Sequence, residues 1–282
     1  MSDVGNIQWF PGHMTKTRRL IEADLKMVDA VVEITDARIP ESSRNPILDE
    51  LVRDKPRIMI MNKCDYADER ATALWRRYYE GRGMTVMVCD CRSGKGINRF
   101  VPTVKALLSD LIERRKARGM IGKALRLMVV GIPNVGKSSF INRMANSKKA
   151  KVGDRPGVTR GKQWVSVDKD VELLDMPGIL WPKFDDQTAA QRLAFTGAIK
   201  DDVMDSEALA RALGELLLSD YPDLIKARYK ISGDGDVLTE IARARGMLVS
   251  GGVPDTERAA ATLLDEYRGG RIGRITLETP QK

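Results

Sequence analysis

The sequence predicts an α/β protein: a mostly parallel sheet with helices on both faces, followed by a small all-α domain. Short apolar runs rich in Val, Ile and Met alternate with helix-like stretches through the first two thirds of the chain. Such alternation is typical of βαβ units. From about residue 187 the strand pattern stops, and helix-like stretches separated by glycine-rich breaks follow. We therefore expect two domains, 1–190 and 200–282.

The expected elements follow in order from these patterns. The strands are β-branched or Met-rich runs that end in polar residues or glycine: Ala30–Thr35, Arg57–Met61, Thr85–Cys89, Leu125–Val130 and Val171–Leu174. The helices between them are amphipathic: Thr15–Met27, Asp68–Arg82, Asn98–Arg118 and Ser138–Ala145. Four more helices are expected in the second domain, the first with Ser206 as its N-cap: Ser206–Leu218, Asp223–Tyr229, Val237–Arg245 and Asp255–Arg268.

The composition excludes several classes of protein. The chain has 282 residues, of which 43% are hydrophobic and 30% charged, as in soluble globular proteins. No apolar run approaches the roughly 18–20 residues that span a bilayer, and MSDVGNIQWF lacks the pattern of a signal peptide. Three cysteines, an odd number at no metal-ligand spacing, argue against a disulfide framework and a cysteine zinc site, and the single histidine excludes a site that needs two. We expect a cytoplasmic monomer without a membrane partner.

The positive charge is concentrated in the first domain. The net charge of the chain is +8, yet residues 200–282 contain more acidic than basic side chains. A basic body is typical of proteins that bind a polyanion such as nucleic acid. A solvated basic face is the alternative that charge alone leaves open.

The strongest motif is GIPNVGKSS, Gly131–Ser139, which fits the phosphate-binding pattern G-x-x-x-x-G-K-[ST] between a strand and a helix. Glycines let consecutive N–H groups point at phosphate oxygens, and the helix N-terminus adds its dipole. Lys137 is expected to reach the β- and γ-phosphates and to assist catalysis, and the Ser138 hydroxyl to bind Mg²⁺. The loop as a whole is expected to bind nucleotide through Pro133, Asn134, Val135, Gly136, Lys137, Ser138 and Ser139.

A second motif is DMPG, Asp175–Gly178, at the end of the last predicted strand. The Asp175 carboxylate is placed to hold Mg²⁺, and the Gly178 N–H to bind the γ-phosphate. The motif is weak alone and stronger downstream of a phosphate-binding loop.

A third motif is NKCD, Asn62–Asp65, directly after a predicted strand. An Asp65 carboxylate that accepts from guanine N1–H and the 2-amino group rejects adenine, because the carboxylate would stay unpaired. Lys63 is expected to lie over the base and Asn62 to brace the loop. Together with the phosphate loop, this motif selects GTP.

The basic segment 148–162, KKAKVGDRPGVTRGK, lies where a switch loop is expected, between the first and second motifs. Thr159 is placed to close on Mg²⁺ when a γ-phosphate is present and so to serve catalysis. A flexible basic loop is the simpler interpretation, and both can hold.

The order of the motifs is unusual, because the base-reading NKCD precedes the phosphate loop instead of following it. A parallel sheet tolerates this order if the original termini are joined and the chain is opened elsewhere. The sequence therefore predicts a circularly permuted P-loop GTPase domain. The helical domain would then follow the switch after DMPG.

The order NKCD, GIPNVGKSS, PGVTRG, DMPG resembles the circularly permuted GTPases. WFPGHM (Trp9–Met14) and DARIP (Asp36–Pro40) make the chain similar to the ribosome biogenesis GTPase A family. The resemblance implies a GTPase that acts late in large-subunit assembly. It would bind precursor particles in the GTP state and leave after subunit-stimulated hydrolysis. It also implies contacts to ribosomal RNA and ribosomal proteins, in part through the helical domain, and Mg²⁺ as cofactor.

Catalysis needs a residue other than the glutamine that many GTPases place after the D-x-x-G glycine, because Ile179 stands there. The resemblance suggests His13 of WFPGHM, whose imidazole can orient a water. Packing or an RNA contact is the alternative for His13. The resemblance also suggests that Asn134 binds K⁺ between the phosphates, so that K⁺ activates; the alternative is that Asn134 only tolerates the loop backbone.

The last guanine-binding element is expected at Asp90–Arg92, where the usual Ser-Ala-Lys is replaced. The Cys91 N–H is expected to reach guanine O6, with Arg92 beside it.

Two other functions stay open at this stage. An RNA- or ribosome-binding scaffold with GTP as a mainly structural ligand is compatible with Ile179 and slow intrinsic turnover. A membrane-associated GTPase is disfavoured, because no basic amphipathic helix with a bulky apolar face is evident.

Overall fold

The computed structural model describes residues 14–52, 55–120, 122–146, 164–176, 178, 186–199 and 204–280. The chain divides into two compact units. One, the sheet unit, runs from Phe10 to Pro182 and takes up the chain again at Glu278. The other, the helical unit, contains Lys183–Leu277. These boundaries differ from the expected 1–190 and 200–282.

The sheet unit is built on six strands in the order β3-β2-β1-β4-β6-β5. All neighbours are parallel except β5 and β6. Each of the seven residues of β1 is buried, as expected for a central strand covered on both faces. The strands are β1 Ala30–Asp36, β2 Arg57–Asn62, β3 Thr85–Val88, β4 Leu125–Val130, β5 Trp164–Asp168 and β6 Val171–Asp175.

The helices of the sheet unit lie between these strands along the chain. Ile21 and Leu25 of the first helix pack on Val31 and Met128 of the sheet, and Trp75 of the third packs on Met61. The helices are α1 Met14–Leu25, α2 Pro46–Leu51, α3 Glu69–Glu80, α4 Phe100–Leu107, α5 Ser109–Ala117 and α6 Lys137–Asn146, with a 3-10 turn at Ile97–Arg99.

The helical unit contains α7 Gln187–Phe195, α8 Ser206–Asp220, α9 Pro222–Tyr229, α10 Val237–Ala244 and α11 Thr256–Arg268. Aspartates cap four of these helices, because their carboxylates accept from backbone N–H groups of the first turn: Asp186, Asp205, Asp236 and Asp255. Gly214 lets α8 approach α10 closely, since a Cβ there would lie 2.6 Å from Cγ1 of Val237. Across the described ranges, no helix is both long and apolar enough for a transmembrane segment.

The predicted fold class is confirmed, and so are the five predicted strands. The stretch 98–118 is not one helix, because Leu108, with ψ of 20°, separates α4 from α5. The N-cap of α8 is Asp205 rather than Ser206, because the Asp205 carboxylate accepts from the Ala208 N–H at 3.0 Å. Strand β5 and helices α2 and α7 were not predicted.

Candidate nucleotide-binding site

The site lies at the carboxyl edge of the sheet. Because β1, β2, β3, β4 and β6 are parallel, the segments that follow them emerge at the same edge. DARIP follows β1, NKCD follows β2, and the phosphate loop follows β4. The circular permutation therefore leaves the spatial grouping of the motifs intact, although their order along the chain differs.

The phosphate loop needs its glycines for two reasons, backbone conformation and space. Gly131 has φ of 152° and Gly136 φ of 97°. A Cβ on Gly131 would lie 2.5 Å from the Ile34 carbonyl oxygen, and one on Gly136 would lie 2.4 Å from Asn62 Nδ2. Asn134 adopts the left-handed conformation with φ of 60°, which asparagine tolerates better than most residues.

Lys137 begins α6 and is buried, with its Nζ donating to the Ile132 carbonyl at 2.8 Å. Burial lowers the pKa of Lys137 to about 8, an effect that the nearby Asp175 opposes. Burial likewise raises the pKa of Asp175, against the influence of Lys137. A bound polyphosphate would add negative charge beside this buried ammonium and favour its charged form.

Gly178 lies next to Lys137 and the phosphate loop. A Cβ there would lie 2.9 Å from Lys137 Nζ and 3.0 Å from Pro133 Cα. Any larger residue would therefore push into the phosphate loop. This close approach fits the predicted contact of the Gly178 N–H with a γ-phosphate.

Asn62 joins three of the predicted segments. Its Nδ2 donates to the Val135 carbonyl of the phosphate loop at 2.7 Å, and its Oδ1 accepts from the Cys91 N–H at 3.0 Å. Arg143 of α6 adds a second link, since its Nε donates to the Cys91 carbonyl at 3.2 Å. The base-reading and phosphate-binding loops are thus connected through hydrogen bonds.

The Cys91 N–H is the point at which the structure departs from a predicted role. This N–H donates to Asn62 Oδ1 in the present arrangement, so it is not the available donor to guanine O6 that the motif suggested. The Arg92 N–H donates to Asp90 Oδ1 at 2.8 Å. Both backbone donors are held by side chains of the protein.

Asp65 lies beside this loop and is half-buried. The Arg92 guanidinium lies 3.6 Å from the Asp65 carboxylate and over the ring of Tyr66. Burial raises the pKa of Asp65, and neighbouring Asp90 acts in the same direction. Two hydrogen-bond donors on a guanine would satisfy this carboxylate.

Lys63 has a partner that the sequence did not indicate. Its Nζ lies 3.0 Å from Oδ2 of Asp36, the first residue of DARIP. Arg38 donates to the same carboxylate from its Nε at 2.9 Å and from its Nη2 at 2.7 Å. Burial lowers the pKa of Lys63, and Asp36 opposes this effect. The one sequence signal for this contact is the position of Asp36 at the end of β1. In the sheet, β1 lies between β4, which leads into the phosphate loop, and β2, which leads into NKCD.

Two predicted catalytic residues, His13 and Thr159, lie outside the described residues, as do Ile179 and the basic segment 148–162. Among the residues that are described, the structure brings together the phosphate loop, NKCD, residues 90–92, Asp175 and Gly178.

The donor set fits Mg²⁺. The Ser138 hydroxyl is on an exposed residue of the phosphate loop, and Asp175 supplies a carboxylate near Lys137. Oxygen ligands of this kind, completed by phosphate and water oxygens, are what Mg²⁺ prefers. Ser138 and Asp175 would therefore hold the ion.

The family model of the 50S ribosome-binding GTPase matches residues 126–221 of this chain. The match includes the phosphate loop and DMPG, and NKCD lies upstream of it. Ribosome biogenesis GTPase A of Priestia megaterium is 46% identical over 281 residues, which cover 98% of each chain.

Two solved structures are similar to this chain. The GDP-bound structure of TM YlqF has a TM-score of 0.71 at 26% identity, covering 94% of this chain and all of that one. The GNP-bound YlqF from T. maritima has a TM-score of 0.67 at 27% identity, covering 95% of this chain and 99% of that one.

Proposed function

We infer the function from one premise: the chain belongs to the ribosome biogenesis GTPase A family of circularly permuted GTPases. On this premise it is a GTPase. We propose that it acts as a switch in late maturation of the large ribosomal subunit, binding precursor particles in the GTP state and leaving after hydrolysis. Its ribosomal part rests on the similarity to Ribosome biogenesis GTPase A. The observation that supports its nucleotide-binding part is the Asn62 bridge, which joins base-reading and phosphate-binding loops at one sheet edge.

The geometry of the site supports the following binding step. Backbone N–H groups of residues 134–139 would surround the phosphates, and the buried Lys137 ammonium would exchange its carbonyl partner for phosphate oxygens. Asp65 accepts from guanine and thereby excludes adenine, with Arg92 beside it. Ser138, Thr159 and Asp175 would hold Mg²⁺, which would supply positive charge next to the phosphates.

The hydrolytic step needs a group that orients the attacking water, and the residue after Gly178 cannot do this. Ile179 has no polar atom to orient a water, so slow intrinsic turnover is expected. We propose that His13 orients the water and that K⁺ at Asn134 stabilises developing charge between the phosphates. A γ-phosphate would draw Thr159 and Gly178 inward, and its release would reverse this.

The proposed partner is the RNA of the large-subunit precursor, with adjacent ribosomal proteins. Residues 1–199 carry the excess of positive charge. Exposed basic side chains follow one another from α5 to β4: Arg114, Lys116, Arg118 and Lys123. Such a run suits phosphate contacts, which strengthen binding at low salt.

The first experiment measures GTP hydrolysis in K⁺ buffer with and without purified large subunits. ATP and small subunits are the controls. We expect stimulation by large subunits alone, loss of it in His13→Ala with GDP binding intact, and slower turnover in Na⁺. Equal rates in both salts would remove K⁺ from the proposal, and unstimulated turnover would remove the large subunit as activator.

A second experiment locates the RNA contact. Replacing Arg114, Lys116, Arg118 and Lys123 by Ala should weaken large-subunit binding and reduce the slope of log K against log salt by about 0.7–0.9 per lost phosphate contact. The matched control replaces four basic residues of the helical unit, Arg243, Arg258, Arg271 and Arg274. A larger loss of large-subunit binding in the control would mean that the RNA contact lies on the helical unit.

The second candidate function is an RNA- or ribosome-binding scaffold that keeps GTP as a structural ligand. Ile179 is the observation that favours it. Tight GTP binding without stimulated turnover would support this function over the switch.

A further inference from the structure

The ammonium of Lys63 is fixed by the protein itself. Its Nζ lies 3.0 Å from Asp36 Oδ2, and the Lys63 backbone adopts φ of 60°, which few non-glycine residues do. With the ammonium engaged, the apolar stem of Lys63 is the part that can lie against a planar base. The ion pair with Asp36 thus holds the Lys63 side chain at its terminal ammonium.

The Asp36 carboxylate is itself held in place. Its side chain is only 2% exposed and accepts hydrogen bonds from two nitrogens of Arg38. Burial alone would raise the pKa of Asp36, but Arg38 and Lys63 hold it well below its usual range. Asp36 is therefore ionised at neutral pH, and the contacts with Arg38 and Lys63 give its carboxylate one defined orientation.

The turn that begins at Asp36 is closed on itself. The Ile39 N–H donates to the Asp36 carbonyl and the Ser43 N–H donates to the Ile39 carbonyl, both at 2.9 Å. The Asp36 N–H donates to Ser43 Oγ at 2.9 Å. The position of Asp36 therefore depends on residues up to Ser43.

Glu278 holds the far side of this turn. Its carboxylate accepts from the backbone N–H of Glu41, from the Ser42 N–H at 3.0 Å and from Ser42 Oγ at 2.5 Å. Its carbonyl accepts from Trp75 Nε1 at 2.9 Å. Glu278 is buried and directly follows Leu277, where the helical unit ends. A residue from the end of the chain thus completes a turn near its beginning.

We propose that Asp36 and Glu278 are positioning residues for guanine recognition: Glu278 fixes the turn that carries Asp36, and Asp36 fixes Lys63 so that its stem lies on the base. The proposal rests on the assignment of Lys63 to guanine made above. Neither residue touches the nucleotide. Each acts through Lys63.

A double-mutant cycle tests the link between Asp36 and Lys63. Lys63→Met keeps an apolar stem and removes the ammonium, and Asp36→Asn removes the anchoring charge. We expect Asp36→Asn to weaken GDP binding about tenfold, the loss of one charge-assisted contact, but less than about twofold in the Lys63→Met background. In GTP hydrolysis the loss should fall on KM more than on kcat. Calorimetry with GDP and Mg²⁺ gives the affinities.

The outcomes separate this proposal from the one on which it rests. If Lys63→Ala, which also removes the stem, leaves GDP affinity unchanged, the assignment of Lys63 to guanine is wrong and the positioning role falls with it. If Lys63→Ala weakens binding but Lys63→Met does not, the assignment stands and the anchoring of the ammonium by Asp36 is not needed. If Lys63→Met weakens binding but Asp36→Asn acts equally in both backgrounds, the assignment stands and Asp36 only stabilises the fold.

Glu278→Ala tests the second step and remains informative if Asp36→Asn does not fold. The matched control is Thr279→Ala, at the adjacent exposed position. We expect Glu278→Ala to weaken GDP binding about threefold, the loss of one modest hydrogen-bond energy, and to do so only when Lys63 is present. An equal loss in Thr279→Ala, or no loss in Glu278→Ala, would remove Glu278 from the proposal.

Discussion

Two buried carboxylates on the same strand, β1, are held in opposite ways. Glu33 and Asp36 are each about 1% exposed and lie three residues apart. Burial acts on both in the same direction, raising the pKa. The outcome differs: the pKa of Glu33 stays raised, whereas that of Asp36 falls well below its usual range.

The difference lies in how close the neighbouring cations are and whether they also donate hydrogen bonds. Two Arg38 nitrogens contact the Asp36 carboxylate within 2.9 Å. The guanidinium groups that face Glu33 lie farther away, at 3.7 Å for Arg44 and 3.5 Å for Arg57. No side chain donates a hydrogen bond to either buried oxygen of Glu33, and the Asn45 backbone N–H lowers the Glu33 pKa less than either arginine does. Burial alone therefore does not decide whether a carboxylate is stable in its charged form. The distance of the neighbouring cations, and the hydrogen bonds that they donate, decide it.

This contrast also separates the functional edge of the sheet from its interior. Asp36 lies at the end of β1, where the loops for base and phosphate meet, and it fixes Lys63. Glu33 lies inside the strand and joins Arg44 and Arg57 in a structural cluster. We expect substitutions at the edge to change both stability and nucleotide affinity, and substitutions in the interior to change stability alone.

The largest expected effect is that of Asp36→Ala. It leaves Arg38, which is almost fully buried, without its carboxylate, and breaking such a pair costs about 3–5 kcal/mol. The control is Asp49→Ala, because the Asp49 side chain is 48% exposed although it pairs with Arg44. That variant should lose less than about 1 kcal/mol. Urea denaturation measures both, and equal losses would contradict the contrast.

The next effect is that of Asn62→Ala. It leaves the Val135 carbonyl and the Cys91 N–H unpaired, at about 1–3 kcal/mol for a buried group. We expect both the free energy of unfolding and the affinity for GDP to fall. Asn98→Ala, in the exposed 3-10 turn, is the control and should change neither. A loss of stability with normal GDP affinity would show that the bridge does not organise the site.

A smaller effect is expected where a carboxylate has direct donors but is exposed. Asp236 caps α10, accepting from the Thr239 N–H at 3.0 Å and from Arg211 Nε at 2.7 Å. Asp236→Ala should lower the free energy of unfolding by about 1 kcal/mol, as for other N-caps. Asp234→Ala, two residues earlier and not a cap, is the control. A loss as large as that of Asp36→Ala would mean that burial contributes little to the cost.

The order of elements in the sheet unit could be predicted because the signals are local. Runs such as Leu125–Val130 contain enough β-branched and apolar residues to mark a buried strand. Strand β5 was missed because Trp164–Asp168 is only partly buried and Ser166 interrupts its apolar residues. Helix α2 was missed because Pro46–Leu51 has six residues, too few to show a helical period.

The site could be predicted where spacing along the chain encodes it, as in Gly131–Ser139 and Asn62–Asp65. The contacts of Asp36 and Glu278 could not. Glu278 reaches the turn at Ser42 across 236 residues of sequence, and no local pattern reports such a separation. The use of the Cys91 N–H by Asn62 was missed for the same reason, because a motif gives the residue types and not the hydrogen bonds between them.

The smallest expected effect, that of Glu33→Gln, tests the contrast most directly. A raised folded-state pKa means that ionisation of Glu33 disfavours the native state. This penalty is present at neutral pH and disappears as the pH falls through the folded-state pKa toward the unfolded value of 4.5. Asp36 contributes oppositely: its stabilisation is already complete above its unfolded value of 3.8, so it is constant between pH 5 and 7. At pH 7 Glu33→Gln should match or exceed the wild type by up to about 1 kcal/mol.

Lowering the pH to 5 should shift this difference in favour of the wild type. Urea denaturation at pH 5, 6 and 7 measures it, with Glu113→Gln on the exposed side of α5 as the control. GDP affinity should be unaffected in both variants. A difference that does not change with pH would show that Glu33 is charged in the native state at no cost. The separation of the guanidinium groups would then matter less than their charge, and the hydrogen bonds of Asp36 would no longer explain why the two carboxylates differ.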